Sequence, residues 1–361
     1  MRTGIADLPL HGGTAPRWLF ERMVKLGGAI IEVIAEDYGT EEVLKRLSSP
    51  YWFQAFACSI GFDWHSSGTT TVTCGALKEA LQKRDIGLRV AGGKGITSRA
   101  TQREILEIGA EFGFSTAKIE ELRYASKMCA KVDNNCVQDG HDLYHHVIVI
   151  SEHGAWSVIQ QGMHPEKRYA RRYHWYNPER FVVEPHTGIV GERIDRVLDL
   201  TARESIEVQK ASIDIVCDDY KKLPGYVAHL AHQTTLDDFI AGKRENIEMM
   251  QMPLNIDWEL MKAIYEFHPE SYEELVGFQG VGKNTLRALA LISEIIYGTS
   301  ASWKDPVKYS FAVGGKDGVP YPVDRKAMDE SIAFLRSAID GAELDRREKL
   351  SALKRLKIQD D

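Results

Sequence analysis

The 361-residue chain lacks a cysteine pair at motif spacing, a long apolar run and an excess of positive charge. Its five cysteines, Cys58, Cys74, Cys129, Cys136 and Cys217, are an odd number without a C-x-x-C pair, so neither a disulfide framework nor a structural zinc site is signalled. No stretch approaches the roughly 20 apolar residues that span a bilayer. The opening Met1 to Leu10 (MRTGIADLPL) has neither the basic start nor the apolar core of a signal peptide. The chain therefore reads as cytoplasmic, with no membrane partner. A formal net charge of −7 argues against nucleic acid on its face. Acidic side chains can be segregated from one positive groove, however, so the question becomes where the basic residues cluster.

What is present is an ordinary globular composition, 43% apolar and 27% charged, long enough for two or three domains. Apolar residues recur at helical spacing from Ala15 to Arg46, and further helices are expected at Tyr51 to Gly61, Cys74 to Arg84, Thr101 to Phe112 and Ser115 to Met128. The stretch Ala91 to Ile96 (AGGKGI) reads as a loop. From Cys129 the texture changes, and His146 to Ile150 (HVIVI), Ala155 to Gln160 (AWSVIQ) and Arg180 to Val183 (RFVV) predict a small antiparallel sheet, the first two joined by Glu152-His153-Gly154. Helical periodicity returns after Glu192, with helices expected at 201–220, 257–267, 271–276, 284–297 and 325–339. The fold class is α+β, mainly helical, in three regions: 1–128 helical, 129–191 the β region, and 192–361 a C-terminal helical domain.

Three groups of residues carry candidate chemistry. In Ser271 to Ala290 a short helix, a glycine-rich turn and a second helix follow one another, the second with Leu286, Leu289, Ala290 and Ile292 on one face. Gly280 and Gly282 permit positive φ and close backbone approach, so the turn and the helix N-terminus behind it, Lys283, Asn284 and Thr285, can present amides to a phosphate. In His164 to Asn177, Lys167, Arg168, Arg171 and Arg172 alternate with aromatic residues, which suits either phosphate contact with base stacking or a hairpin whose aromatics pack inward. Between Tyr124 and His146, Asp133, Asn134, Gln138 and Tyr144 supply the amides, carboxylate and aromatic platform that a base-reading pocket needs, and Lys127 or Lys131 an amine. His141, His145, His146 and His153 raise a metal site, although adjacent strand residues such as His145 and His146 face opposite sides.

The segment from Ser271 resembles the helix-hairpin-helix glycosylases of the endonuclease III type, and Pro320-Tyr-Pro-Val-Asp324 looks like the segment that carries their catalytic aspartate. The resemblance implies that Asp324 supports attack at the glycosidic carbon of a flipped nucleotide, although an Asp at a helix start also reads as an N-cap. It departs from that pattern in two places. Asn284 stands where bifunctional members have a Schiff-base lysine, and Lys283, one position earlier, is rotated by roughly 100°. Asn284 and Asp324 are also 40 positions apart, the surplus being Thr299 to Val319, rich in aromatic, Lys and Gly residues and expected to fold beside the site.

Over nearly its whole length the chain also looks like a prokaryotic family labelled domain of unknown function 763, through Arg2 to Gly13, Cys74 to Leu81, Leu143-Tyr-His-His146 and Gly314 to Gly318. That likeness implies excision of oxidised pyrimidines such as 5-hydroxymethyluracil or 5-hydroxymethylcytosine. The glycine loop Leu10-His-Gly-Gly13 is open to two readings, DNA contact or structural turn. The expectation is a nucleoid-associated DNA glycosylase acting on double-stranded DNA with a modified base, its catalytic candidates Asp324, Lys283 and Lys131. It requires no cofactor beyond a structural monovalent cation at the hairpin. A metal-dependent structure-specific nuclease and a non-enzymatic DNA-binding module stand as alternatives.

Overall fold

The computed structural model describes residues 15–61, 68–166, 169–218, 220–225, 252–253, 256–307, 325–342 and 344–357. Its centre is a five-stranded antiparallel sheet, β1 (Leu88–Lys94), β3 (Asp142–Ser151), β4 (Trp156–Met163), β5 (Ala170–Tyr176) and β6 (His186–Val190), in the order β1-β3-β4-β5-β6. A two-stranded ribbon pairs β2 (Val137–Gln138) with β7 (Leu198–Asp199). Helices cover both faces of the sheet, and that explains why the strands are buried nearly throughout rather than on alternate residues.

One face carries Val147, Val149 and Ile159 and packs against α1 (Arg17–Tyr38), α2 (Thr40–Ser48), α3 (Pro50–Ile60) and α4 (Gly68–Gln82). The other carries Ile148, Ile150, Val158 and Trp175 and packs against α5 (Thr101–Glu111), α6 (Thr116–Asn135) and α7 (Ile206–Cys217), with α8 (Trp258–Phe267), α9 (Tyr272–Gly277) and α10 (Lys283–Tyr297) beyond. The last two helices, α11 (Arg325–Gly341) and α12 (Arg346–Lys357), return to the first face, where Leu335, Ile339 and Ala352 join the core of α1 and α3. The span 192–361 therefore divides between the two faces. The boundary placed at 128/129 falls inside α6, whose buried Leu122, Met128, Cys129 and Val132 keep one helical stripe running across it.

The helix expected from Ala15 to Arg46 breaks at Gly39, whose φ of +87° ends α1. Two differences are larger. The AGGK run is not a loop but most of β1: a Cβ on Gly92 would lie 2.2 Å from the carbonyl oxygen of His146, so glycine there admits a close strand pairing. The RFVV run is not a strand; Phe181 instead stacks on Trp156 from an irregular segment. The strand lies earlier, in the basic and aromatic stretch that composition assigned to the surface.

Candidate functional site

That stretch holds β5, an interior strand between β4 and β6, and strand alternation sends Arg171 and Arg172 to opposite faces. Both are fully buried. Arg171 pairs with Asp139 at 3.0 Å and with both oxygens of Asp305 at 2.8 and 3.0 Å, and also donates to the Glu192 carbonyl. Burial opposes the charge on Asp139, yet Arg171, His141 and the Tyr173 hydroxyl outweigh it and hold that carboxyl well below the usual range. Arg172 donates to Gln54 at 3.1 and 3.2 Å, to His174 and to Thr70, all uncharged acceptors, and burial pulls its pKa down to about 10. The phosphate-contact reading of Arg171 and Arg172 is thus corrected: their guanidinium groups are committed inside. Lys167 and Arg168 lie outside the described residues, as do Asp324, the glycine loop Leu10 to Gly13 and positions 308–319 of the insert.

Asp133 does not line an open base pocket either. It accepts hydrogen bonds from Trp175 Nε1, Gln160 Nε2 and His186 Nε2 in the interior, and burial raises its pKa although His186 opposes that shift. His186, an unexpected member, was hidden because its partner lies 53 positions away. His146 is held between Ser126 and Gln160, each at 2.8 Å, and His141 lies against Asp139 at 3.2 Å. His153 is an exposed turn residue. The four histidines do not converge, and among the described residues no three of His, Cys, Asp and Glu form a group able to hold a metal.

The remaining candidates do come together. The turn after α9 carries Gly280 at a φ of +94°, and α10 begins at an extended Gly282 with no side chain capping its first amides. Positive φ is therefore needed at Gly280 alone. Leu286, Leu289, Ala290 and Ile292 are buried as their spacing predicts, while Lys283 and Asn284 are exposed and Thr285 is buried. The turn is fastened to β2 and to the start of β3. Gln138 donates to the Lys283 carbonyl at 2.8 Å and accepts from Arg287 at 2.8 Å, and Lys283 reaches Asp142 at 3.1 Å.

Lys131 is the central tie. Its ammonium donates to the carbonyls of Val276 and Gly277, at 2.9 and 3.0 Å, and of Phe278, acceptors at the C-terminus of α9. A monovalent cation seated at these carbonyls would have to displace it. Burial and the neighbouring Lys127 push the Lys131 pKa down to about 8.

Beside this tie lies a cleft of about 480 Å³, lined among others by Lys127, Lys131, Asn134, Tyr144, His145 and His146. Among the described residues none that lines it is acidic. It sits where β1 stops at Lys94, so β3 has an unpaired edge there and residues from both of its faces reach the opening. Asn134 accepts from the Leu143 amide at 3.3 Å, and the Tyr144 hydroxyl accepts from Gln161. Lys131, Asn134 and Tyr144, chosen from sequence by residue type, thus share one cleft, with the glycine turn adjoining it. Gln138 serves beneath the turn instead.

The architecture is that of an α+β protein with a doubly covered antiparallel sheet and an uncharged-to-basic cleft at its edge. The family model described as "Protein of unknown function (DUF763)" matches residues 4–323, nearly the whole chain, and the chain belongs to that family. No curated protein and no solved structure matches it.

Proposed function

We propose that the protein is a DNA glycosylase that excises a modified base, with duplex DNA seated on a helix-hairpin-helix formed by α9 and α10 and the flipped nucleotide entering the adjoining cleft. The observation that carries this reading is Lys131: one side chain both lines the cleft and holds the helix that leads into the glycine turn. A phosphate bound by the turn amides would then sit next to the cleft mouth, the spacing that base flipping requires. The cleft volume falls within the roughly 300–1,000 Å³ usual for small-molecule sites. Tyr144 supplies a stacking face and Asn134 an amide.

The chemistry is assigned from the sequence resemblance. Asp324 stabilises positive charge developing at the sugar and orients the nucleophile. Lys131, with its lowered pKa, is better suited than Lys283 to act as an amine, because Lys283 is half exposed and paired with Asp142. In this state its ammonium is held by three carbonyls, so nucleophilic use requires the α9 end to shift when DNA binds. An oxidised pyrimidine remains the proposed substrate class.

The test is a panel of duplexes, each with one modified base, assayed with and without chelator. Free base released in chelator is the expected result. Chelator-sensitive strand cutting without free base would identify a nuclease, and binding without turnover a DNA-binding module.

A further inference from the structure

We propose that the cleft ends in a phosphate site built on one cross-strand row of the sheet, Lys94, His145, Gln161 and Arg172. This inference stands without the glycosylase reading, since it follows from strand register and from unsatisfied polar atoms.

Lys94 lies opposite His145, His145 opposite Gln161, and Gln161 opposite Arg172. Directly opposed residues project from the same face, so four neighbouring strands place two cations, an imidazole and an amide in a line. From the helical layer above, Thr70 reaches Gln161 and Arg172, and Thr73 follows one turn later on the same helix face. The row contains no carboxylate. Arg172 has only neutral acceptors, and Lys94 makes no ion pair among the described residues.

Three atoms sharpen the point. Both ring nitrogens of His145, which is 1% exposed, lack a hydrogen-bond partner, and so does the buried Thr73 hydroxyl. Buried polar groups are almost always satisfied, so an unpartnered imidazole in the same cross-strand row as an arginine without a carboxylate partner among the described residues points to the place of a ligand. The contrast with the other face of β5 excludes a general tolerance for bare charge, because Arg171 there is met by two carboxylates.

The complementary ligand is an anion with several acceptor oxygens. At the open end of the row, where β1 stops, it would meet the exposed Lys94 ammonium and the His145 ring, with the field of Arg172 two strands away, ~10 Å. Tyr144 adds a donor: its hydroxyl accepts from Gln161, and Lys94 lies 5.8 Å from its ring centroid, so its own proton remains available. Burial, His146 and Lys94 push the His145 pKa down to about 3, which leaves a neutral ring with one N–H to offer. A phosphate satisfies several donors at once with charge enough to balance Lys94 and Arg172. A nucleotide's terminal phosphate and a DNA backbone phosphate share this chemistry.

The experiment titrates inorganic phosphate into the full-length protein without DNA, by calorimetry and by thermal shift. One saturable site with a rise in Tm is expected. Lys94→Ala, an exposed edge change compatible with folding, should weaken that site about tenfold, the loss of one charge-assisted hydrogen bond. Lys210→Ala, on a distant helix, should not. A thymidine monophosphate arm and an unmodified duplex arm distinguish the two phosphate sources by which competes at lower concentration. Absence of saturable phosphate binding, or Lys94→Ala binding as tightly as the parent, would overturn the site. Base release from modified duplex is read separately, so failure of one reading is distinguishable from failure of the other.

Discussion

Arg171 and Arg172 are neighbours in one strand, equally buried, and their surroundings are opposite. Arg171 sits between Asp139 and Asp305, a closed arrangement in which each charge is answered. Arg172 sits among Gln54, Thr70 and His174, with two thiols nearby, and among the described residues no carboxylate pairs with it. The first arrangement holds strand, ribbon and the 302–307 segment together. The second buries a charge whose hydrogen-bond acceptors are all neutral, an electrostatic cost that the negative charge of a ligand nearby would offset.

The largest effect should come from breaking the closed side. Asp139→Asn leaves Arg171 half paired and should cost about 3–5 kcal/mol, read as a fall in denaturant midpoint. Because the folded pKa of Asp139 lies below its unfolded value, its stabilisation is present above about pH 4 and is lost as the pH falls further. The Asn variant should lack that part of the acid transition.

On the open side, Arg172→Met removes an unanswered charge together with its hydrogen bonds to Gln54. Stability in phosphate-free buffer should stay within about 2 kcal/mol of the parent, and the phosphate-induced rise in Tm should be reduced, by no more than in Lys94→Ala, because Arg172 acts through its field alone. A loss as large as that of Asp139→Asn would erase the distinction between the two faces.

His145 sharpens the same contrast. Its folded pKa of about 3 lies below the unfolded 6.5, so the unfolded chain takes up a proton that the folded chain refuses. Its contribution is complete above pH 6.5 and declines as the pH falls toward 3. A His145→Asn variant should therefore show a shallower loss of stability across that window.

The amine predictions are smaller in stability and specific in chemistry. If Lys131 forms the covalent intermediate, borohydride trapping of modified DNA should rise with pH through about 8 and then level off as the amine becomes neutral, and Lys131→Ala should abolish it. The exposed Lys283–Asp142 pair should matter least: Lys283→Ala should change stability by less than about 1 kcal/mol. Its measurable effect should be on duplex binding, with the salt dependence reduced by about one counterion.

Much of the fold was legible because helical spacing survives tertiary packing. The stripe Leu286, Leu289, Ala290 and Ile292 is buried as read, and HVIVI lies in an interior strand. The glycine-rich β1 was not, since Gly92 and Gly93 read as a loop until the close approach of the His146 carbonyl is known. Nor was β5. Four arginines and lysines among aromatics signal surface by composition, and Arg171 is reconciled with the interior by Asp139, 32 positions away, and Asp305, 134 positions away. The cleft was found in part: Lys131, Asn134 and Tyr144 were chosen by chemical type and do converge, whereas Asp133, Arg171 and Arg172 belong to the core. The row through Lys94 and His145 depends on strand register, which no local pattern encodes.

The account turns on base excision beside the glycine turn. The most direct measurement is release of free base from a duplex carrying one 5-hydroxymethyluracil, in chelator, by the parent protein and by Asp324→Asn. The account predicts release by the parent and its loss in the variant with duplex binding retained. Undiminished release by Asp324→Asn, or no release from any modified duplex, would contradict it.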